Sequence, residues 1–231
     1  MRIWRVAVFA LVLGVPACAS ALSDCVSTGG TSCVGLDLTG EKAEGRDLSG
    51  VDFTDTILRN ADLKRAVLVG ASMDRADLTG ADLRWADLTG ATLSGADLSA
   101  AELEGAEMVG VDLSGAVMYE SVIQWVDLSE SDLSGAYMKM SRLRDVIIRG
   151  GDLRWVNLKG ADLRGSEFID VDFSGANLDH ARLRDVTFIR VNFSGASLAG
   201  VDFRGAVADS STIWPAGLDP VSDGLVASTD E

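Results

Sequence analysis

From Leu36 to Ile213 an apolar residue returns at every fifth position. All 32 positions at this spacing from Leu48 to Phe203 are Leu, Phe, Met or Ile, with no insertion. Ala76-Asp77-Leu78-Thr79-Gly80 and Ala81-Asp82-Leu83-Arg84-Trp85 show the unit. A period of five fits neither the 3.6 of a helix nor the 2 of a strand. Self-similarity at a fixed period argues for stacked units that bury a shared core only through their neighbours. The residue two before each centre is mostly Ala, with some Val and Ser and with Gly151, which suits a narrow axis. Glycine at the fifth position, as at Gly80, Gly90, Gly110 and Gly160, tolerates corner dihedrals. Backbone groups of such units would pair with the units above and below at about 4.8 Å.

The tandem Ala-(Asp/Asn)-(Leu/Phe)-(Ser/Thr/Arg)-Gly resembles the pentapeptide-repeat family over about three quarters of the chain. The resemblance implies an all-β fold, a right-handed quadrilateral parallel β-helix with four pentapeptides per coil, hence about eight to nine coils in a rod of roughly 40 Å. It implies that the central residue and the small residue two before it point inward, and that the other three face out or turn the corner. The ending Thr212-Ile213-Trp214-Pro215-Ala216-Gly217-Leu218-Asp219-Pro220 also resembles that of many members. Trp214 can lie over the last open coil, and Pro215 lacks the donor that would invite another strand.

The ends set the domain reading. Met1-Arg2-Ile3-Trp4-Arg5 is a short basic start, Val6–Val15 is apolar, and Ala19-Ser20-Ala21 offers a cleavage site. Residues 1–21 therefore read as a secretory signal, too short to span a membrane. Val15-Pro16-Ala17-Cys18 resembles a bacterial lipobox, which would lipidate Cys18. Residues 22–40 read as a Cys-loop and N-terminal cap, 41–213 as the β-helix with Glu41–Gly45 a degenerate first repeat, and 214–231 as a C-terminal cap and polar tail. In an oxidising compartment Cys25 and Cys33 can close a disulfide across Gly29-Gly30; the rival is Cys18 pairing with one of them. Two thiols without further ligands do not make a metal site.

Four repeats per coil sort the outward residues by wall. One wall carries Arg142, Arg144, Arg164, Arg182 and Arg184 within adjacent coils, a cationic patch that could dock an anionic partner or a lipid phosphate. Asp145, Asp185 and Asp162 are the carboxylates that would neutralise it. The next wall exposes Ile147, Ile169 and Ile189, which are good strand formers or a self-association patch. The third is an acidic ladder of Asp52, Asp112, Asp132, Asp152 and Asp172, expected to bond to the turn backbone. Trp85, Trp125 and Trp155 fall at corners, as stem covers or as a sugar-stacking platform; the single His180 also falls at a corner.

The chain of 231 residues has a formal net charge of −15, which disfavours binding nucleic acid through phosphates. None of the common nucleophile, metalloprotease, P-loop or dinucleotide signatures is present. The reading is therefore a non-enzymatic module without cofactor or metal, exported to the periplasm or beyond, with an outer-membrane anchor if Cys18 is lipidated. It would act as a rigid structural or protein-interaction element of the bacterial envelope. Its partner would be a protein or another envelope component, with membrane contact only through the lipid anchor. One alternative, from the resemblance, is an acidic DNA mimic that binds a type II topoisomerase. Another is a carbohydrate-binding accessory module.

Overall fold

The computed structural model describes residues 21–27, 31–219, 221–222 and 224–227. The leader-like segment 1–20, with Cys18, lies outside the described residues, as do residues 228–231 of the expected tail.

From residue 31 onward the chain winds as a four-sided coil. Each residue before a centre pairs in parallel with the residue twenty further on, as in Asp52 with Ser72 and Asp82 with Glu102. The coil-to-coil bonds are regular: Leu78 N–H donates to Asp97 C=O (2.7 Å), and Asp97 N–H donates to Ala76 C=O (2.9 Å). Every five residues the wall turns. Ala81 N–H donates back to Leu78 C=O (2.9 Å), and the residue between them at the corner, Gly80, has φ 66°. That positive φ is what a type II turn demands of its third residue.

On one wall the pairing widens into continuous short strands. These are β1 (Ile147–Arg149), β2 (Glu167–Ile169), β3 (Thr187–Ile189), β4 (Val207–Ala208) and β5 (Val226–Ala227). They form one parallel sheet in the order β1-β2-β3-β4-β5, with Ile148 against Phe168 and Phe168 against Phe188. The β-branched Ile147, Ile169 and Ile189 suit this flatter wall.

All 32 centres from Leu48 to Phe203 are buried, and the same inward register continues to Cys33, Leu38 and Ala43 upstream and to Ala208 downstream. At four to a coil these make nine coils. The small inward position is occupied as expected. At Gly151 a Cβ would come within 2.6 Å of Ile148 Cγ2, so a larger residue there would force the Ile148 side chain to shift. Where Ser replaces Ala, its hydroxyl is used. Ser131 Oγ donates to Met108 C=O (2.9 Å) and accepts from Val111 N–H (3.2 Å), bridging a turn bond. No buried side-chain polar atom among the described residues lacks a partner.

The coil starts ten residues before the expected Glu41. Ser32 pairs with Asp52, Asp37 with Ile57 and Lys42 with Asp62, so Glu41–Gly45 is a regular repeat. Backbone pairing and the turn at Gly45 (φ 66°) need only an inward side chain that fits, and Ala43 does. The cap proper is the short helix α1 (Ala21–Ser27). Its Leu22 is buried in the core cluster, with Cys25 and Val26 packed against that cluster. Cys25 is bonded to Cys33, with Cα atoms 5.4 Å apart. Cys33 occupies an inward centre, so this bond ties the cap to the innermost layer of the first coil.

At the other end the filling changes from Leu to Phe. Phe168 stacks on Phe188 and Phe173 on Phe193, each one coil apart. Trp214 stacks on Phe193 at 5.0 Å and meets Phe188 and Phe203 edge-on, closing the aromatic column. Its neighbour Ile213 pairs with Asn192 twenty-one residues away, one more than the coil repeat, so an inserted residue lets the chain leave its register.

Candidate interaction surface

The five arginines singled out in the sequence project from one wall, and the structure divides them. Asp162, only 6% exposed, is the hub. Its Oδ1 accepts from Arg164 Nε (2.7 Å), and its Oδ2 accepts from Arg164 Nη2 (2.8 Å) and from Arg144 Nε (2.8 Å). Arg182 Nη1 stands 3.8 Å from Asp162 Oδ2, near enough for an ion pair and too far for a hydrogen bond. Burial alone would raise the Asp162 carboxyl pKa. The hydrogen bonds and charges of Arg164 and Arg144 overcome that and hold it at about 2. Asp202 repeats the arrangement two coils on, taking Arg184 (2.5 Å) and Arg204 (2.8 Å). Arg142 makes no ion pair among the described residues.

The carboxylates that pair with the arginines are therefore Asp162 and Asp202; Asp145 and Asp185 form no ion pair among the described residues and act on Arg164 only at longer range. Each sits at a corner with positive φ and turns its carboxylate over the corner glycine of the next coil, Asp145 over Gly165 and Asp185 over Gly205. An inter-coil reach, 18 residues forward from Arg144 to Asp162, decides the pairing over sequence adjacency. Arg144 and Arg184 are thus rungs between coils, Arg164 is held within its own coil, and Arg142 and Arg182 are the cations left least engaged.

The acidic wall works locally. The Oδ1 atoms of Asp52, Asp112, Asp132, Asp152 and Asp172 each accept from the N–H two residues on, at 2.8–3.0 Å. Arg154 also grips Asp152. Among the described residues no group of three or more His, Cys, Asp or Glu is placed to hold a metal ion.

Corner side chains follow one rule. Sixteen non-glycine residues occupy corners with positive φ, a conformation that costs an L-residue of the order of 1 kcal/mol. Several of them fold over the corner glycine one coil further on. A Cβ at Gly105 would lie 2.4 Å from the Trp85 ring, and one at Gly175 would lie 2.4 Å from the Trp155 ring. His180 covers Gly200 in the same way, so the single histidine is a corner lid. Trp125, unlike Trp85 and Trp155, has no glycine one coil on, because that corner is Asp145. Its ring, 57% exposed, instead lines a cavity of about 330 Å³ with Gly105, Glu107, Val109 and Asp127. A second cavity, of about 360 Å³, lies between Ala196–Gly200 and Pro215–Leu218 at the C-terminal cap.

The pentapeptide-repeat family model matches residues 47–84, 81–118, 127–165 and 166–205, in eight copies. The chain belongs to the pentapeptide-repeat family. Its members fold as right-handed quadrilateral β-helices, and this one is all-β in its coil, as read from the sequence. Among solved structures, the chain resembles HetL, a pentapeptide repeat protein involved in heterocyst differentiation regulation from Nostoc sp. strain PCC 7120. That match has 23% identity, covers 85% of this chain and 97% of HetL, and has a TM-score of 0.35. It also resembles trypsin-treated QnrB1, a plasmid-mediated fluoroquinolone resistance protein, at 19% identity over 78% of this chain and 90% of that one, with a TM-score of 0.44. A third is a pentapeptide repeat protein of the Arabidopsis thaliana thylakoid lumen, at 27% identity over 66% of this chain and 68% of that one, with a TM-score of 0.16. No curated protein matches. Family membership carries the fold and a general role as a non-enzymatic interaction module, and no particular partner.

Proposed function

We propose that this pentapeptide-repeat protein is a non-enzymatic, rigid interaction module exported to the bacterial envelope. The observation that carries the reading is the Cys25–Cys33 disulfide, which bonds the cap helix to an inward position of the first coil. Such a bond persists in an oxidising compartment and is rare in the cytosol. It follows directly on the basic start, apolar run and Ala19-Ser20-Ala21 of a secretory leader. Rigidity comes from the coil itself, in which every wall is bonded to the coils on both sides.

Intact mass and N-terminal sequencing of the protein recovered from cells test this reading. The expected product begins at Leu22, or at a lipidated Cys18, and carries no free thiol at Cys25 or Cys33. A product that retains residues 1–17 with two reduced thiols overturns it.

The net charge of −15 favours a second reading, mimicry of DNA toward a type II topoisomerase. Against it, many carboxylates on the acidic wall are engaged by their own turn backbone, as Asp132 is by Ser134 N–H. The same localisation experiment separates the two, because mimicry of DNA has no target outside the cytoplasm.

A further inference from the structure

Between Trp85 and Met138 the chain has ten Asp and Glu and not one Lys or Arg. Arg84 is held by Asp82 and Glu102, and Arg149, whose charge also acts on Asp127, is held by Glu167 (2.7 Å). Inside this belt, on the wall that later becomes β1–β4, Asp87 pairs in register with Glu107 and Glu107 with Asp127. Three carboxylates thus stand on successive coils about 4.8 Å apart. Like charges placed directly opposite on neighbouring strands repel. No side chain among the described residues forms an ion pair with any of the three, and the two-residues-on backbone bond of Asp127 to Ser129 N–H engages only one of its oxygens. Beside Glu107 and Asp127 lies the cavity of about 330 Å³ lined by Trp125. Carboxylates beside an exposed indole face are the complement of a guanidinium or ammonium group, which one attracts by charge and the other by the ring quadrupole. The surrounding belt focuses negative potential on the same place.

We propose that the Trp125 cavity, with Glu107 and Asp127, is the docking pocket for an arginine or lysine side chain of a basic partner segment. The proposal rests on the interaction-module reading and names the contact chemistry that reading leaves open. It also moves the working surface from the arginine wall, where Asp162 and Asp202 hold Arg144, Arg164 and Arg184, to the part of the belt where Glu107 and Asp127 form no ion pair among the described residues. Arginine should bind better than lysine, because a planar guanidinium can stack on the indole while donating to both carboxylates.

The probe is a capped tetra-arginine peptide titrated into the oxidised full chain by calorimetry at low salt, with tetra-lysine beside it. The double variant Glu107→Gln/Asp127→Asn should weaken binding about tenfold or more, by loss of the charge-assisted bonds. Trp125→Leu should weaken it about threefold, the size of an exposed cation–π contact. A matched control, Glu104→Gln/Glu130→Gln, removes the same charge from the belt outside the cavity and should weaken binding less than about threefold by lowering the general field. Thermal melts confirm that each variant is folded, and the carboxylate variants keep the pocket testable if Trp125→Leu is not. Equal losses in the double variant and its control would overturn the pocket in favour of a diffuse field. Unchanged affinity in the double variant, or no binding by the wild type, overturns it as well. None of these results bears on export, which N-terminal sequencing decides.

Discussion

Residues 85–138 and residues 139–204 are wound on the same inward register, yet they treat their outward charges in opposite ways. In the first stretch ten carboxylates face outward with no cation among them. In the second, eleven Lys and Arg accompany nine Asp and Glu, and guanidiniums bridge one coil to the next at Asp162, Glu167, Asp170 and Asp202. Both stretches pair their coils through the same backbone bonds. The difference shows that the fold is written on two of every five positions and that the remaining three are free to carry other work. Where charges are laced between coils they are consumed by structure, and where they are left unpaired they remain available to a ligand.

The largest effect tests the shared half of that comparison. Leu153→Asp, in the laced stretch, and Leu113→Asp, in the belt, each place an unpaired charge in the axis at a cost of several kcal/mol. Both variants should lose the far-UV circular dichroism of the wild type at room temperature, because both centres are buried to within 1%. If one were tolerated, the inward code would not be equivalent along the rod.

A smaller effect separates the stretches. Asp162→Asn deprives Arg144 and Arg164 of their shared counter-charge. Its partners are more than a third exposed, so solvent screening reduces the loss to about 2 kcal/mol in thermal melts. Asp132→Asn in the belt still offers an acceptor to Ser134 N–H and should stay within about 0.5 kcal/mol. Equal losses would mean that the inter-coil pairs contribute nothing beyond turn capping.

Acid unfolding sharpens the same contrast. The folded-state pKa of Asp162 is about 2, below its unfolded value of about 3.9. A depressed carboxyl contributes stability that is present above the unfolded value and is lost as pH falls through the folded one. Wild-type stability should therefore drop between about pH 4 and pH 2, by on the order of 1–2 kcal/mol from this group. Asp162→Asn should show a shallower fall over that window, measured by denaturant titration at each pH. A slope identical to wild type would show that Asp162 is not the group titrating.

The inward half of this architecture was legible in the sequence: the five-residue spacing excludes a helix and a plain strand, and the family resemblance implies which two of the five positions point inward. Cys33 and Ala43 hid the start of the coil: neither looks like a Leu or Phe centre, although both fit the axis. Trp214 was readable as a lid because the ending from Thr212 to Pro220 resembles that of many family members, and the structure stacks it on Phe193. Outward pairing was much less readable. Asp145 adjoins Arg144 in sequence, but its corner dihedral aims it at Gly165, and the carboxylate that reaches Arg144 belongs to the next coil. The Trp125 cavity is lined by residues from two successive coils, Gly105 to Val109 and Trp125 with Asp127, a relation between residues about twenty apart. The wall bearing Tyr119, Tyr137, Lys139 and Lys159 gave no signal at all, since its residue types vary from coil to coil.

The smallest effect should differ in sign between the two stretches. Raising salt to 1 M shortens the screening length to about 3 Å, less than the coil spacing. In the belt this removes repulsion between rungs such as Asp87, Glu107 and Asp127, so the backbone bonds beneath them should open less often. In the laced stretch the same salt weakens attractions such as Arg149 with Glu167 and Arg190 with Asp170, whose side chains are mostly more than half exposed. Each change is a few tenths of a kcal/mol, the size of an exposed pair. Global melting would average them away, so the measurement is amide hydrogen exchange, which reports local opening. Protection should rise at Leu88 and Glu107, whose N–H groups donate between belt coils, and fall at Phe168 and Phe188, on the strands that the bridges lace. A uniform shift at all four would show that salt acts on the rod as a whole and that the two stretches do not differ in how their charges are used.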